Sequence, residues 1–170
     1  MGVALNRQGK FEAAELYFAE AIRLDPEYGE AYNNLGVALA SQGKFEAAVA
    51  RYAEALRLNP SYGEAYNNLA LIMAACPEAS HRDGRKAVEL ATRACELAEW
   101  KRSEYLNILA AAYAESGDFD AAVTWQTRAI GSLTDERKLN DYRSWLVLYQ
   151  AKKPYRVRRP MGRDQTEVRP

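Results

Sequence analysis

Side chains able to carry covalent or acid–base chemistry are few in this chain and do not converge. His81 is the only histidine, so a His-based triad or metal site would rest on one residue in the polar stretch CPEASHRDGRK. A solvated loop histidine is the expectation there. Cys76 and Cys95 are the two cysteines; they lack metal-ligand spacing and are too few for a disulfide framework, so both read as reduced helix residues. No Gly-rich phosphate loop, paired-Cys zinc motif or calcium loop occurs in the sequence. Glu12, Glu15, Glu46 and Glu54 fall on helix faces that meet water. The expectation is therefore no catalytic residue, no metal and no cofactor. The chemistry on offer is recognition by amides: EAYNNL occurs at Glu30 to Leu35 and again at Glu64 to Leu69. A carboxamide donates and accepts, which suits the alternating N–H and C=O groups of an extended peptide. Asn also costs ~0.5 kcal/mol relative to Ala inside a helix, so paired copies need a reason.

The elements that position these amides follow from a repeat. Gly9 matches Gly43, Phe11 matches Phe45 and Pro26 matches Pro60, each 34 residues apart. A fixed period of this length signals stacked supersecondary units. Within a unit, Tyr32, Leu35, Gly36, Leu39 and Ala40, then Phe45, Ala48, Val49, Tyr52, Ala55 and Leu56, follow helical spacing on either side of Gln42-Gly43. Each unit is thus a helical hairpin, and Pro60 ends its second helix. Apolar residues make up 48% of the 170, with only four Phe, and that Ala-rich composition suits closely packed helices rather than a β-sandwich. Lys plus Arg and Asp plus Glu both number 23, so no global field recruits nucleic acid or an anionic membrane. No apolar run approaches the roughly eighteen residues of a membrane span, and no secretory signal pattern opens the chain. A cytoplasmic location is expected.

These residues resemble the tetratricopeptide repeat, whose pattern is an aromatic, Leu-Gly, a large apolar residue, Ala, an aromatic, Ala and Pro. Tyr32, Leu35, Gly36, Leu39, Ala48, Tyr52, Ala55 and Pro60 match it in residues 28–61. The unit at residues 1–27 is cut short, with Gly2 at the Gly of Leu-Gly and Ala14, Phe18, Ala21 and Pro26 completing the pattern. The third unit, 62–101, begins with Tyr66, Leu69, Ala70 and Met73. It then inserts five residues between its helices, since Leu69 to Ala87 spans 18 positions where Leu35 to Ala48 spans 13. That insertion is expected to be a surface excursion, with Asp83 capping the next helix. The third and fourth units (102–134) lack the second aromatic and carry Ala91 and Gln126 instead; Trp125 is placed to take over that packing. Leu139, Tyr142, Trp145, Leu146 and Tyr149 form a capping helix within 135–151. The fold expected is an all-α, right-handed solenoid. Residues 152–170 hold seven basic and two acidic residues and read as an extended or mobile tail. They leave residues 1–151 at a net charge of −5, a body that repels nucleic-acid phosphate.

The resemblance implies that first helices line a concave surface and supply ligand contacts. The groove positions are then Glu30, Asn33, Asn34, Val37 and Ser41 in the second unit, Glu64, Asn67, Asn68, Leu71 and Ala75 in the third, and Glu104 and Asn107 in the fourth. Asn34 and Asn68 are similar to the asparagine ladder that binds peptide main chain in the superhelix of the O-linked N-acetylglucosamine transferase; the alternative is that they bond to neighbouring helices. Chaperone-binding tetratricopeptide domains clamp a terminal carboxylate with Lys and Arg on these faces, and Glu and Asn stand there here. The expected activity is non-catalytic binding of an extended neutral or basic peptide. Alternatives are a substrate-recognition segment of a larger enzyme such as a glycosyltransferase, or a self-assembling structural unit. The last draws on Phe11, Ala14, Leu16, Tyr17 and Phe18, through which the N-terminal hairpin is expected to form a homo-oligomer.

Overall fold

The computed structural model describes residues 1–133 and 135–157, and every regular element among them is helical. The helices are α1 (Gly2–Arg7), α2 (Phe11–Leu24), α3 (Gly29–Ser41), α4 (Phe45–Leu58), α5 (Gly63–Ala75), α6 (Gly84–Leu97), α7 (Ser103–Ser116), α8 (Phe119–Gly131) and α9 (Leu139–Gln150). Each packs on its neighbour in the chain, while α3 meets α5 and α5 meets α7 across successive hairpins. Helices α1, α3, α5 and α7 therefore stack as one layer, and each even-numbered helix packs between its chain neighbours. The architecture is the all-α solenoid expected from the repeat.

Local chemistry explains both kinds of turn. Gly9, Gly43 and Gly117 adopt left-handed φ values of 71°, 79° and 90°, and the next residue's N–H reaches back to the carbonyl of Leu5, Leu39 or Tyr113. This closes each helix end on its own orphan carbonyls. Between hairpins the residue before proline leaves the helical region, Asp25 at φ −137° and Asn59 at φ −135°. The Asp25 carboxylate accepts from the Glu27 N–H and the Asn59 carboxamide from the Ser61 N–H, so each side chain builds its own turn.

Fully buried alanines, among them Ala14, Ala48, Ala87 and Ala122, let the two layers approach closely. Tyr142 and Tyr149 bury the inner face of α9 against α8, and Gln126 donates to the Tyr142 carbonyl at 2.9 Å. Trp125 does not enter the space left by the missing aromatic. It stacks instead on Trp100, with ring centroids 5.1 Å apart and Arg128 over both rings.

Four expectations change in detail. The insertion folds back rather than standing off: Asp83 caps α6 by accepting from the Lys86 N–H at 3.0 Å, and its own N–H donates to Met73. His81 is not a solvated loop residue but is half-buried, its ring 6.1 Å from that of Phe45. Residues 153–157 have no regular secondary structure and lie docked on the helices, as described below; residues 158–170 of the basic tail lie outside the described residues. In the first hairpin, Ala14 and Phe18 are buried beneath α1, while Leu16 and Tyr17 are exposed. Phe18 is therefore a core residue and not part of an open face.

Candidate peptide-binding groove

The layer of α3, α5 and α7 presents a groove with two chemically different halves. Its polar half is a depression of about 310 Å³ lined by Asn33, Asn34, Val37, Glu64, Asn67, Asn68, Arg102, Glu104 and Tyr105. An adjoining apolar depression of about 390 Å³ is lined by residues that include Phe11, Val37, Ser41, Phe45, Asn68, Leu71 and Val157. Val37 and Asn68 belong to both walls. The period of the repeat explains this arrangement, since equal positions on successive first helices fall side by side.

The asparagines divide by role. Asn33 is 3% exposed and Asn107 7%, so each is held mostly between helices and shows only a small part of its surface in the wall of a depression. The Asn68 amide donates to the Asn33 carboxamide oxygen at 3.0 Å, and the Asn33 amide donates to the Tyr62 hydroxyl at 3.4 Å. That chain of bonds ties α3 to α5, the neighbour-bonding alternative. Asn34 differs: it is half-buried, and it is its backbone carbonyl that accepts from Asn6. The carboxamide oxygens of Asn67 and Asn107 are buried without a hydrogen-bond partner, and both residues line a further depression with Glu104, Lys138 and Trp145.

Electrostatics also differ from the acidic wall expected. Glu64 pairs with Arg102 at 3.1 Å and Glu104 with Lys138 at 3.0 Å. Arg102 also stands 4.4 Å from the centre of the Tyr105 ring. Burial pushes the Tyr105 hydroxyl up to about 12, against the pull of Arg102. Burial also pushes Glu104 up, but a backbone N–H, the Lys138 ammonium and the Arg102 charge outweigh it and hold the carboxyl below its usual range. Lys138 was legible in principle: it stands 34 residues after Glu104, one period along the same face.

Profiles described as tetratricopeptide repeat match residues 1–62, 39–75 and 104–125. The chain belongs to the tetratricopeptide repeat family. Repeats of this family serve in general as protein-interaction scaffolds. No curated protein matches the chain. Among solved structures it is similar to yeast Tom70, at 19% identity and a TM-score of 0.70 over 89% of this chain and 32% of that one. It thus spans about a third of Tom70. MamA superposes with a TM-score of 0.63 at 19% identity over 89% of this chain and 91% of that one. The N-terminal domain of stress-induced protein-1 (STI-1) from C. elegans gives 0.52 at 23% identity over 68% and 92%. These likenesses establish the fold. Among the described residues of this tetratricopeptide protein, no helix is long and apolar enough to cross a membrane, and no group of three or more His, Cys, Asp or Glu could hold a metal.

Glu30 and Ser41 of the expected groove line separate depressions, Glu30 beside Asn34 and Arg102 and Ser41 beside Val37 and Leu71. One further acid went unread in the sequence. Glu115, at the end of α7, is held at 3.0 Å by Arg82 of the insertion and at 2.6 Å by Arg156 of the tail. Only the folded-back insertion and the returning tail bring those three residues together.

Proposed function

We propose that this chain is a non-catalytic scaffold that binds an extended neutral or basic peptide along the groove of α3, α5 and α7. The observation that carries the reading is continuity: Val37 and Asn68 join the polar depression to the apolar one. One extended segment can therefore meet carboxamides and an aliphatic wall in succession, the pairing that gives a peptide both main-chain bonds and side-chain pockets. Asn34 is the cleanest probe, because its side chain is not committed to the α3–α5 bond network. Panning a random peptide library on the chain should enrich extended sequences. Asn34→Ala should weaken each by about 0.5 to 1.5 kcal/mol, the worth of one hydrogen bond, without lowering the melting temperature. Asn68→Ala should lower both, since it strips Asn33 of its donor. Peptides that bind Asn34→Ala and Val37→Glu as tightly as the parent would place the ligand elsewhere.

A second reading rests on exposed apolar residues at the other end of the stack, Met1, Leu16 and Leu24 at 82%, 73% and 70%. A second copy on that face would make the chain a self-assembling unit. Light scattering over a concentration series decides: Leu16→Glu should dissociate such an oligomer, and a constant monomer mass removes the reading.

A further inference from the structure

The last described residues of the chain return to the stack, and Val157 reaches the wall of the apolar depression. Lys152 ends α9 at a left-handed φ of 54°, and the Lys153 N–H closes back on the Leu148 carbonyl at 2.9 Å. The same turn at Gly9, Gly43 and Gly117 leads into another helix; here it leads into a segment without regular secondary structure that returns over the stack. The Tyr155 ring packs 4.8 Å from that of Trp145. The Val157 N–H donates to the Ala75 carbonyl at 2.8 Å, and the Arg156 guanidinium reaches the Ala74 carbonyl at 3.5 Å and the Glu115 carboxylate at 2.6 Å. Val157 then forms part of the wall of the apolar depression with Val37 and Leu71.

The acceptors in this contact have a physical origin. Ala74 and Ala75 are the last two residues of α5, so their carbonyls have no partner within the helix and stand at its negative end. Cys76, next in the chain, gives its carbonyl to Arg82, which also holds one oxygen of Glu115. The Glu115 side chain is only 14% exposed. A buried carboxylate, two helix-end carbonyls, an aromatic face and an aliphatic pocket thus lie in one line. Together they fit a peptide that presents an aromatic, an arginine and an aliphatic residue in order, with a free N–H on the last.

We propose that Tyr155-Arg156-Val157 is an intramolecular ligand of the groove, displaced by a partner that presents an extended aromatic–Arg–aliphatic segment in the same place. The proposal rests on the groove reading above and adds the ligand's chemistry and its control. A groove filled in cis lowers the apparent affinity of any competitor by the fraction of chains that are open.

The probe is a labelled, amidated peptide Lys-Lys-Pro-Tyr-Arg-Val, tested on the full chain and on the full-length double variant Tyr155→Ala, Arg156→Glu. It should bind the double variant about tenfold more tightly than the parent, as an open fraction near one in ten requires. The same peptide with Arg replaced by Glu should bind neither. A folded double variant that fails to bind the probe overturns the proposal and leaves the segment as a buttress for α9. Hydrogen exchange of the parent provides a measure that needs no variant: saturating probe should raise exchange at the Val157 amide, and unchanged protection also overturns it. Library peptides that depend on Asn34 yet leave Val157 protected would uphold the groove and remove only the intramolecular ligand.

Discussion

The second and fourth hairpins solve one packing problem in opposite ways. In the second, Gly36 on α3 faces Tyr52 on α4: a Cβ added to Gly36 would lie 2.5 Å from Tyr52 Cε1, and Tyr52 is 2% exposed. The first hairpin repeats this with Gly2 against Phe18, where the added Cβ would lie 2.6 Å from Phe18 Cζ. In the fourth, the matching positions hold Ala110 and Gln126, both fully buried, and in the third Ala70 and Ala91. A ring over a missing Cβ and a smaller group over a present Cβ fill the same interhelical space. The exchange has a consequence outside the hairpin, because a buried Gln brings a carboxamide whose N–H groups need a partner. Gln126 finds one in the Tyr142 carbonyl of α9, so the last helix is tied to the stack by a bond from inside the fourth hairpin.

Removing the ring should have the largest effect. Tyr52→Ala empties the space above Gly36 and should cost about 3 to 5 kcal/mol in chemical denaturation. Gly36→Ala overpacks the same space and should cost about 1 to 3 kcal/mol alone. In the Tyr52→Ala background the new methyl instead fills part of the cavity. The double variant, which copies the Ala pair of the third hairpin, should therefore be more stable than the sum of the singles predicts. Strict additivity would mean that the two residues do not share a cavity.

The converse change belongs to the fourth hairpin. Gln126→Tyr imports the ring opposite Ala110, whose Cβ occupies the space that Gly36 leaves open, and should destabilise by about 1 to 3 kcal/mol. Gln126→Leu is the milder test. It loses the bond to Tyr142 but also removes the Gln126 oxygen, which is buried without a partner. The net change should lie within about 1 kcal/mol of zero. If Gln126→Leu costs as much as Gln126→Tyr, the bond to α9 holds more of the fold than its geometry implies.

The same contrast shows what the residues alone could reveal. Hairpins, their turns at Gln42-Gly43 and their ends at Pro60 were legible because glycine at left-handed φ and proline at a helix end act locally. The Asp83 cap was legible for the same reason. Within the groove, the positions on α3 and α5 follow from the period, but the roles do not. Asn33 and Asn34 are adjacent in the sequence, yet one is buried in a bond network between hairpins and the other faces the groove. Adjacent residues stand about 100° apart around a helix, so which of the two meets α5 depends on how the hairpins pack and not on the local sequence. Partners were the least legible feature. Glu115, Arg82 and Arg156 stand 33 and 41 residues from one another along the chain, outside the period, and meet only because the insertion folds inward and the tail turns back at Lys152.

The smallest expected effect concerns Glu104 and Lys138, the ion pair that links α7 to the start of α9. Glu104 is held below its ordinary carboxylate range in the folded chain, so folding favours its charged form. The stability this contributes is present above the unfolded pKa, near about 4.3 for Glu, and is lost as pH falls through the lower folded value. Both side chains are partly exposed, at 43% for Lys138 and 44% for Glu104, so solvent screening limits the pair to about 0.2 to 1 kcal/mol. Other carboxylates titrate in the same window, Glu15 among them, which the Lys44 ammonium and the Gln42 amide hold low. The informative quantity is therefore a difference: Lys138→Gln should unfold at a slightly lower denaturant concentration than the parent at pH 7. The gap should close as pH drops below the ordinary carboxylate range and protonation removes the attraction in both proteins. A gap that persisted unchanged at pH 2 would show that Lys138 supports α9 by packing its methylene stem rather than by charge.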